Sequence, residues 1–349
     1  MFNKNILILL AVIVLVHVVV ICSCMSGNSE ISDKAAAAAA EEFQNRQLAF
    51  FDRLFSAERS GAVSRPGSAA SSDRVPEPWE YGSTLSLPLN LQNQAKMAKS
   101  VIVVDLNSRR VLFERNSQTA VPIASLTKLM SLLVVSDKLH SDPQLDLKQV
   151  ITLSETARSV ENARLKAGKY LFKDLMYSMI VGSFNDAATQ LAISCSGSVP
   201  AFVDEMNRKA GKMGLKHAKF NSPSGLPQEG VNSFAATSEV LYLCEAVMQD
   251  PDLRKICGTP RYTLSMGSKR RGGNSIGSDN QMINGRKVDG AFGFKTGFTN
   301  AAGRCVAFGV ERNGRVIIGC ITGYSDKTKL FDFAIALNEW AFKQNGAAK

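Results

Sequence analysis

Histidine is scarce: the 349 residues hold three, and one of these, His17, lies inside an apolar leader. Only His140 and His217 remain for a Ser-His-Asp triad. Neither neighbours a Gly-x-Ser-x-Gly elbow, so triad chemistry finds no support, and both read as surface or capping residues. Metal chemistry fares no better. Past the leader the chain has five cysteines (Cys195, Cys244, Cys257, Cys305 and Cys320) at spacings that match no zinc site. They read as small buried hydrophobes, with at most one or two disulfides on which the fold does not depend. No metal or organic cofactor is called for. Nucleic acid is also a poor partner, despite a formal charge of +10. Lys and Arg are scattered, and the densest cluster, Lys269-Arg270-Arg271, sits among glycines and serines without aromatic interleaving or finger spacing. The surplus reads as a solvated cationic surface suited to an anionic wall or membrane.

Hydrophobic residues make up 45% and charged residues 21% of the chain, the proportions of a globular protein with a sizeable core. At the N-terminus, Lys4 precedes an apolar run over residues 6–22 broken only by His17. A cationic start before such a run is an export signal or an anchor. Its 17 residues fall slightly short of the roughly 20 a spanning helix needs. No small-x-small cleavage site follows. Instead Ile21-Cys22-Ser23-Cys24 looks like a bacterial lipoprotein box, with Cys24 as the residue to be lipidated; an uncleaved anchor is the other reading. Either way the rest of the chain is expected to be exported, to the bacterial periplasm or the outer face of the cytoplasmic membrane, tethered at its N-terminus.

The pattern divides the chain into a leader (1–24), an Ala-rich amphipathic helix (25–56), a linker rich in Ser, Gly and Pro (57–97), and a folded domain (98–345). Residues 100–105 are β-branched and read as a strand, with a hairpin partner at 110–114. A helix is expected from about Ser125 to Leu139. Helical periodicity recurs between 172 and 247, and strands return at 290–296, 305–311 and 316–322. The last two strands are joined at Asn313-Gly314, a strong hairpin turn. A final amphipathic helix over about 329–342 places Phe333, Leu337 and Trp340 on one stripe. Strands at both ends with helices between them make an α+β fold whose antiparallel sheet draws on both termini.

A serine hydrolase without histidine needs another base, and a lysine of lowered pKa can serve. Ser125-Leu126-Thr127-Lys128 offers one, because positions three apart share a helix face. The N-terminus of that helix also favours a developing oxyanion. Alone the pair is common. Two further elements give it weight: Ser183-Phe184-Asn185 at a junction of helices, and Lys295-Thr296-Gly297 on a strand. Asn185 lies 60 residues and Lys295 170 residues after Ser125, the order and layout of penicillin-binding proteins and class A β-lactamases.

The chain resembles the serine D-Ala-D-Ala carboxypeptidases, low-molecular-mass penicillin-binding proteins, and their D,D-endopeptidase relatives. The likeness runs through residues 121–130, 183–188, 221–226 and 294–299, with Ala302-Gly303, and covers about 98–340. Phe184 departs from it, standing where the family usually carries a small or polar residue. The family's frequent C-terminal β-domain and anchoring helix also find no counterpart, so the tether is expected at the N-terminus. The resemblance implies a β-lactamase/transpeptidase-like fold with a helical insertion subdomain. It implies that Ser125 attacks the carbonyl between the last two D-alanines of a peptidoglycan stem peptide and that Lys128 takes its proton. Ser183 would relay a proton to the leaving group, and Asn185 would orient Lys128 and the substrate amide. Lys295 and Thr296 would hold the terminal carboxylate, while Gly297 would let the substrate backbone lie beside the strand. The backbone N–H groups of Ser125 and Phe298 would form the oxyanion hole, and Arg304 would add positive charge nearby. β-Lactams are implied as covalent inhibitors.

Among the rivals, a class A β-lactamase resembles this chain in all three motifs but needs a downstream Glu facing the nucleophile. The stretch 216–226 contains no acidic residue. Carboxypeptidase is the leading reading and D,D-endopeptidase the alternative. A catalytically idle wall-binding scaffold is disfavoured by the intact motifs.

Overall fold

The computed structural model describes residues 74–82, 85–270, 273–286, 288–326 and 328–344. The leader with Cys24, the Ala-rich helix and residues 57–73 of the expected linker lie outside these residues. The secondary structure runs α1 (Leu89–Ala95), β1 (Ser100–Asp105), β2 (Arg110–Arg115) and β3 (Val121–Pro122), then a 3₁₀ turn (Ala124–Thr127) leading into α2 (Lys128–Ser141). Next come β4 (Val150–Thr152), α3 (Glu155–Arg158), β5 (Lys169–Leu171), α4 (Phe172–Ile180), α5 (Asn185–Ser196) and α6 (Val199–Lys212). The chain continues through β6 (Phe234–Ala235), α7 (Thr237–Gln249), α8 (Pro251–Cys257), β7 (Arg261–Thr263) and β8 (Ser275–Gly277). It closes with β9 (Ala291–Thr299), β10 (Gly303–Arg312), β11 (Arg315–Tyr324) and α9 (Leu330–Lys343).

The main sheet has the order β2-β1-β11-β10-β9, antiparallel throughout. The first strand of the domain therefore pairs with its last. Side chains alternate across this sheet. Val101, Val103, Val306, Phe308, Ile317 and Ile321 face one side, where α1 and α9 cover them. Ile102, Val104, Ala307, Ile318 and Cys320 face the other, where α7 and the helices around it form the larger core. Every residue of β1 is buried because both faces are covered. Asn313 (φ 51°) and Gly314 (φ 75°) make the turn between β10 and β11, the paired left-handed geometry that a two-residue hairpin requires. The helices of residues 124–257 sit between β2 and β9 as the expected helical insertion. All five cysteines in the domain are free and buried.

Two sequence expectations need correction. The folded chain begins before residue 98. Trp79 is 4% exposed, its Nε1 donates to the Ser238 carbonyl at 3.0 Å, and its ring stacks on Tyr242 at 4.7 Å. Residues 89–95 of the expected linker form α1, whose Leu91 and Ala95 are buried under α9. The expected helix from Ser125 is also divided: its first turn is 3₁₀, and α-helical geometry starts only at Lys128. The turn enters from Ala124, which takes a left-handed φ of 46°, so the backbone arrives off the α-helical path. No helix among the described residues is long and apolar enough to cross a membrane.

Candidate active site

The 3₁₀ turn sets the geometry of the site. At three residues per turn, side chains three apart eclipse one another, so Lys128 lies directly beside Ser125, with Nζ 2.9 Å from Oγ. The Lys128 side chain is fully buried, and two other oxygens reach its nitrogen: Asn185 Oδ1 at 2.8 Å and the Ser224 carbonyl at 2.7 Å. Burial pushes its pKa well below that of an ordinary lysine, and the nearby Lys295 charge pushes the same way; Asp186 opposes them. A neutral amine carries two N–H bonds and one lone pair. With both N–H bonds donated to Asn185 and Ser224, the lone pair is left facing the Ser125 hydroxyl, the arrangement of a general base.

Asn185 is the first residue of α5, and its own Nδ2 donates to the Glu161 carbonyl at 3.0 Å. Its neighbour Asp186 is buried and accepts from the backbone N–H groups of Arg164 and Leu165, each at 2.6 Å. Burial raises the Asp186 pKa. The loop over residues 158–169 is thereby fastened to the start of α5. Ser183 precedes it in a left-handed conformation (φ 57°), a local strain typical of functional turns. Phe184 is 3% exposed, so it belongs to the core more than to the cleft wall. Its ring fits because Gly182 has no side chain; a Cβ there would lie 2.5 Å from the ring.

Lys295 lies on β9, buried, with its ammonium donating to the Thr296 carbonyl at 3.0 Å. Burial lowers its pKa to about 8, against an opposing pull from Asp279. A buried ammonium with a single backbone acceptor is short of partners, and an incoming carboxylate would supply them. Phe298 is 54% exposed, and the Arg304 guanidinium on β10 stacks over its ring at 4.8 Å.

Gly297 has a role the sequence did not reveal. A Cβ at this position would lie 2.9 Å from the Ser125 nitrogen and 3.1 Å from the Ala124 Cβ. Its lack of a side chain lets β9 press against the turn that carries Ser125, a contact made within the protein itself. Gly225, at φ 81°, makes the matching approach from the other side, where a Cβ would overlap the Ala124 carbonyl. Sequence reasoning also missed Ser224, Glu161 and Asp186. The first two act through backbone carbonyls, which leave no trace in residue type. An acid directly after the Ser-x-Asn motif was the available sign of Asp186. His140 and His217 are exposed and take no part. A separate cleft of about 760 Å³ between α2, α6 and the α7–α8 junction shares no residue with the three motifs.

Residues 89–324 match the D-alanyl-D-alanine carboxypeptidase family. A D-alanyl-D-alanine endopeptidase of Pseudomonas aeruginosa is 33% identical over 256 residues, 70% of this chain and 78% of that protein. A D-alanyl-D-alanine carboxypeptidase of Bacillus subtilis is 27% identical over 261 residues, and there the match spans 64% of the relative's length. Among solved structures, a D-alanyl-D-alanine carboxypeptidase of Mycobacterium tuberculosis superposes with a TM-score of 0.66 at 26% identity, over 77% of this chain and 97% of that one. A penicillin-binding protein of Listeria monocytogenes in its ampicillin-bound form gives 0.63 at 27% identity, over 71% and 98%. With its α+β fold and its match over residues 89–324, the chain belongs to the D-alanyl-D-alanine carboxypeptidase family.

Proposed function

We propose that the protein is a serine D-Ala-D-Ala carboxypeptidase that removes the terminal D-alanine of peptidoglycan stem peptides through an acyl-enzyme on Ser125. The hydrogen-bonded set around Lys128, with its lowered pKa, is the observation that carries this reading. Lys128 takes the Ser125 proton as Oγ attacks the carbonyl between the two D-alanines. The backbone N–H groups of Ser125 and Phe298 hold the oxyanion, and Ser183 relays the proton held by Lys128 to the departing D-alanine amine. Asn185 keeps the Lys128 lone pair on Ser125 and meets the substrate amide. Lys295 and Thr296 receive the terminal carboxylate. Water then releases the shortened peptide and restores the hydroxyl. β-Lactams present a strained amide to the same serine; the Listeria relative was solved with ampicillin bound.

A second reading, cleavage of D,D-cross-links, is favoured by the Pseudomonas relative's designation as an endopeptidase. The chemistry at Ser125 is the same; only the leaving amine differs. The apolar run over residues 6–22 and Cys24 support export with an N-terminal tether.

Incubating the protein with purified muropeptides and weighing the products tests both readings. Loss of one D-alanine from monomers supports the carboxypeptidase, splitting of dimers supports the endopeptidase, and no change in either overturns the activity.

A further inference from the structure

Lys269 and Arg270, from the basic cluster that the sequence reads as solvated cationic surface, lie in the β7–β8 connection. Residues 268–270 of that connection are bonded to the loop over 158–169. Leu165 and Lys269 form an isolated antiparallel bridge. The Lys166 N–H donates to the Ser268 carbonyl at 3.0 Å, and the Arg270 N–H to the Arg164 carbonyl at 2.7 Å. The Arg270 side chain adds bonds to the carbonyls of Leu165 and Arg158. The 158–169 loop is in turn held to the catalytic motif by Asn185 and Asp186.

The exposed rim of these two loops is strongly cationic. Arg164, Lys166, Lys169 and Arg270 are exposed and Lys269 is half-buried. None of the five forms an ion pair with a described carboxylate. Arg158 is paired with Glu155 at 3.0 Å. The other exposed acid on these segments, Glu161, accepts from the neighbouring Asn162 side chain. Asp174 and Asp186 are buried and spent on backbone N–H groups and Tyr262. The Arg164 guanidinium sits 5.7 Å from the centre of the Phe184 ring, one residue from Asn185. A surplus of positive charge therefore sits on loops that are bonded directly to the Ser-x-Asn motif through Asn185 and Asp186. This is separate from Lys295, which lies on β9 and serves the terminal carboxylate.

We infer that the rim of Arg164, Lys166 and Lys269 selects stem peptides that carry a free carboxylate upstream of the scissile bond over those in which that group is amidated. The proposal rests on the reading of the site as a D-Ala-D-Ala peptidase. Charges on a solvated rim act at a distance of about one Debye length and guide approach more than they clamp the ligand. Their effect belongs in kcat/KM and is sensitive to salt.

The test uses the full chain and three synthetic peptides ending in D-Ala-D-Ala: one with an upstream carboxylate, its carboxamide twin, and a short peptide with neither. The wild type is expected to favour the carboxylate over the carboxamide by about tenfold in kcat/KM at low salt, with most of the preference gone at about 0.5 M salt. A triple variant, Arg164→Gln with Lys166→Gln and Lys269→Gln, is expected to lose the preference while turning over the neutral peptide at the wild-type rate. The charge-keeping set, Arg164→Lys with Lys166→Arg and Lys269→Arg, retains it. Arg270 is left in place because its side chain supports the loop. Equal use of the two long peptides by the wild type overturns the inference alone, as does a preference that survives the triple variant or a matching loss on the neutral peptide. If no peptide is turned over, the activity reading falls and this inference falls with it.

Discussion

Lys128 and Lys295 lie close enough within the buried site that the charge of Lys295 adds to burial in holding the Lys128 pKa down. In the proposed mechanism the two lysines divide the work: Lys128 accepts the Ser125 proton and Lys295 holds the substrate carboxylate.

The consequence for pH is a bell-shaped profile. Below its depressed pKa, Lys128 is protonated and cannot act as base, so kcat/KM falls as pH drops. Lys295, lowered to about 8, loses its charge as pH rises through that value, and capture of the carboxylate weakens. The free enzyme's kcat/KM is therefore expected to bend downward near pH 8 on the alkaline side. Replacing Lys295 with Gln removes a like charge from beside Lys128, whose pKa must rise. The acid limb should move to higher pH, and a profile recorded for that variant checks the sign directly.

Ser125→Ala removes the one side-chain hydroxyl hydrogen-bonded to the Lys128 amine among the described residues. Turnover of a D-Ala-D-Ala peptide is expected to drop by about 10⁴-fold or more, and labelled penicillin should no longer attach. Adduct mapping by mass on the wild type checks the position; a label on any other residue would assign the nucleophile elsewhere.

Penicillin should acylate the enzyme once and stay. Where a fast β-lactamase needs a carboxylate to activate water, Ser125 Oγ here faces the Ser224 carbonyl at 3.4 Å. A carbonyl can orient a water but cannot take its proton at neutral pH. Intact-mass measurement over hours is expected to show a stoichiometric, persistent adduct, and rapid steady-state hydrolysis would contradict this.

Gly297→Ala sets a Cβ 2.9 Å from the Ser125 nitrogen. Neither backbone can accept that contact without moving, and a displacement on the order of 1 Å at a nucleophile costs about 10²-fold in rate. Acylation by penicillin should slow by that order while the thermal midpoint moves little, which stopped-flow and melting measurements together can establish.

Asp186→Ala leaves two N–H groups, that of Leu165 buried and that of Arg164 partly buried, without an acceptor. A loss of about 3 kcal/mol in unfolding free energy is expected. Asp186→Asn keeps an acceptor oxygen and should cost clearly less. Chemical denaturation of the two variants distinguishes an acceptor role from a charge role.

Much of this site was legible in the sequence because its chemistry depends on side-chain type. Lys128, Asn185 and Lys295 sit on the kinds of element that their motifs suggested, and Ser125 on a 3₁₀ turn just ahead of its expected helix. The Asn313-Gly314 turn could be read because so few residue types tolerate two left-handed conformations in succession. The hidden parts lie where backbone acts in place of side chain. The carbonyls of Ser224 and Glu161 complete the Lys128–Asn185 network, and any residue at those positions would supply one. Gly297 stood out as a glycine, yet whether its open side admits substrate or the nucleophile turn depends on which backbone lies opposite. Trp79 was passed over because a single aromatic among prolines looks like linker until Tyr242 and Ser238 are seen to receive it.

The pairing of β1 with β11 joins Val101 to Ile321. With nearly the whole domain between the partners, the centre of the sheet closes only after almost the entire chain has been made. A nascent chain that has emerged as far as α8 holds both the Ser-x-x-Lys and Ser-x-Asn motifs yet lacks the strands that press Ser125 into place. Such a high sequence separation predicts slow folding and an extended period with apolar strand edges open to the wrong partner. Help from a chaperone during biogenesis is the expected consequence of this topology.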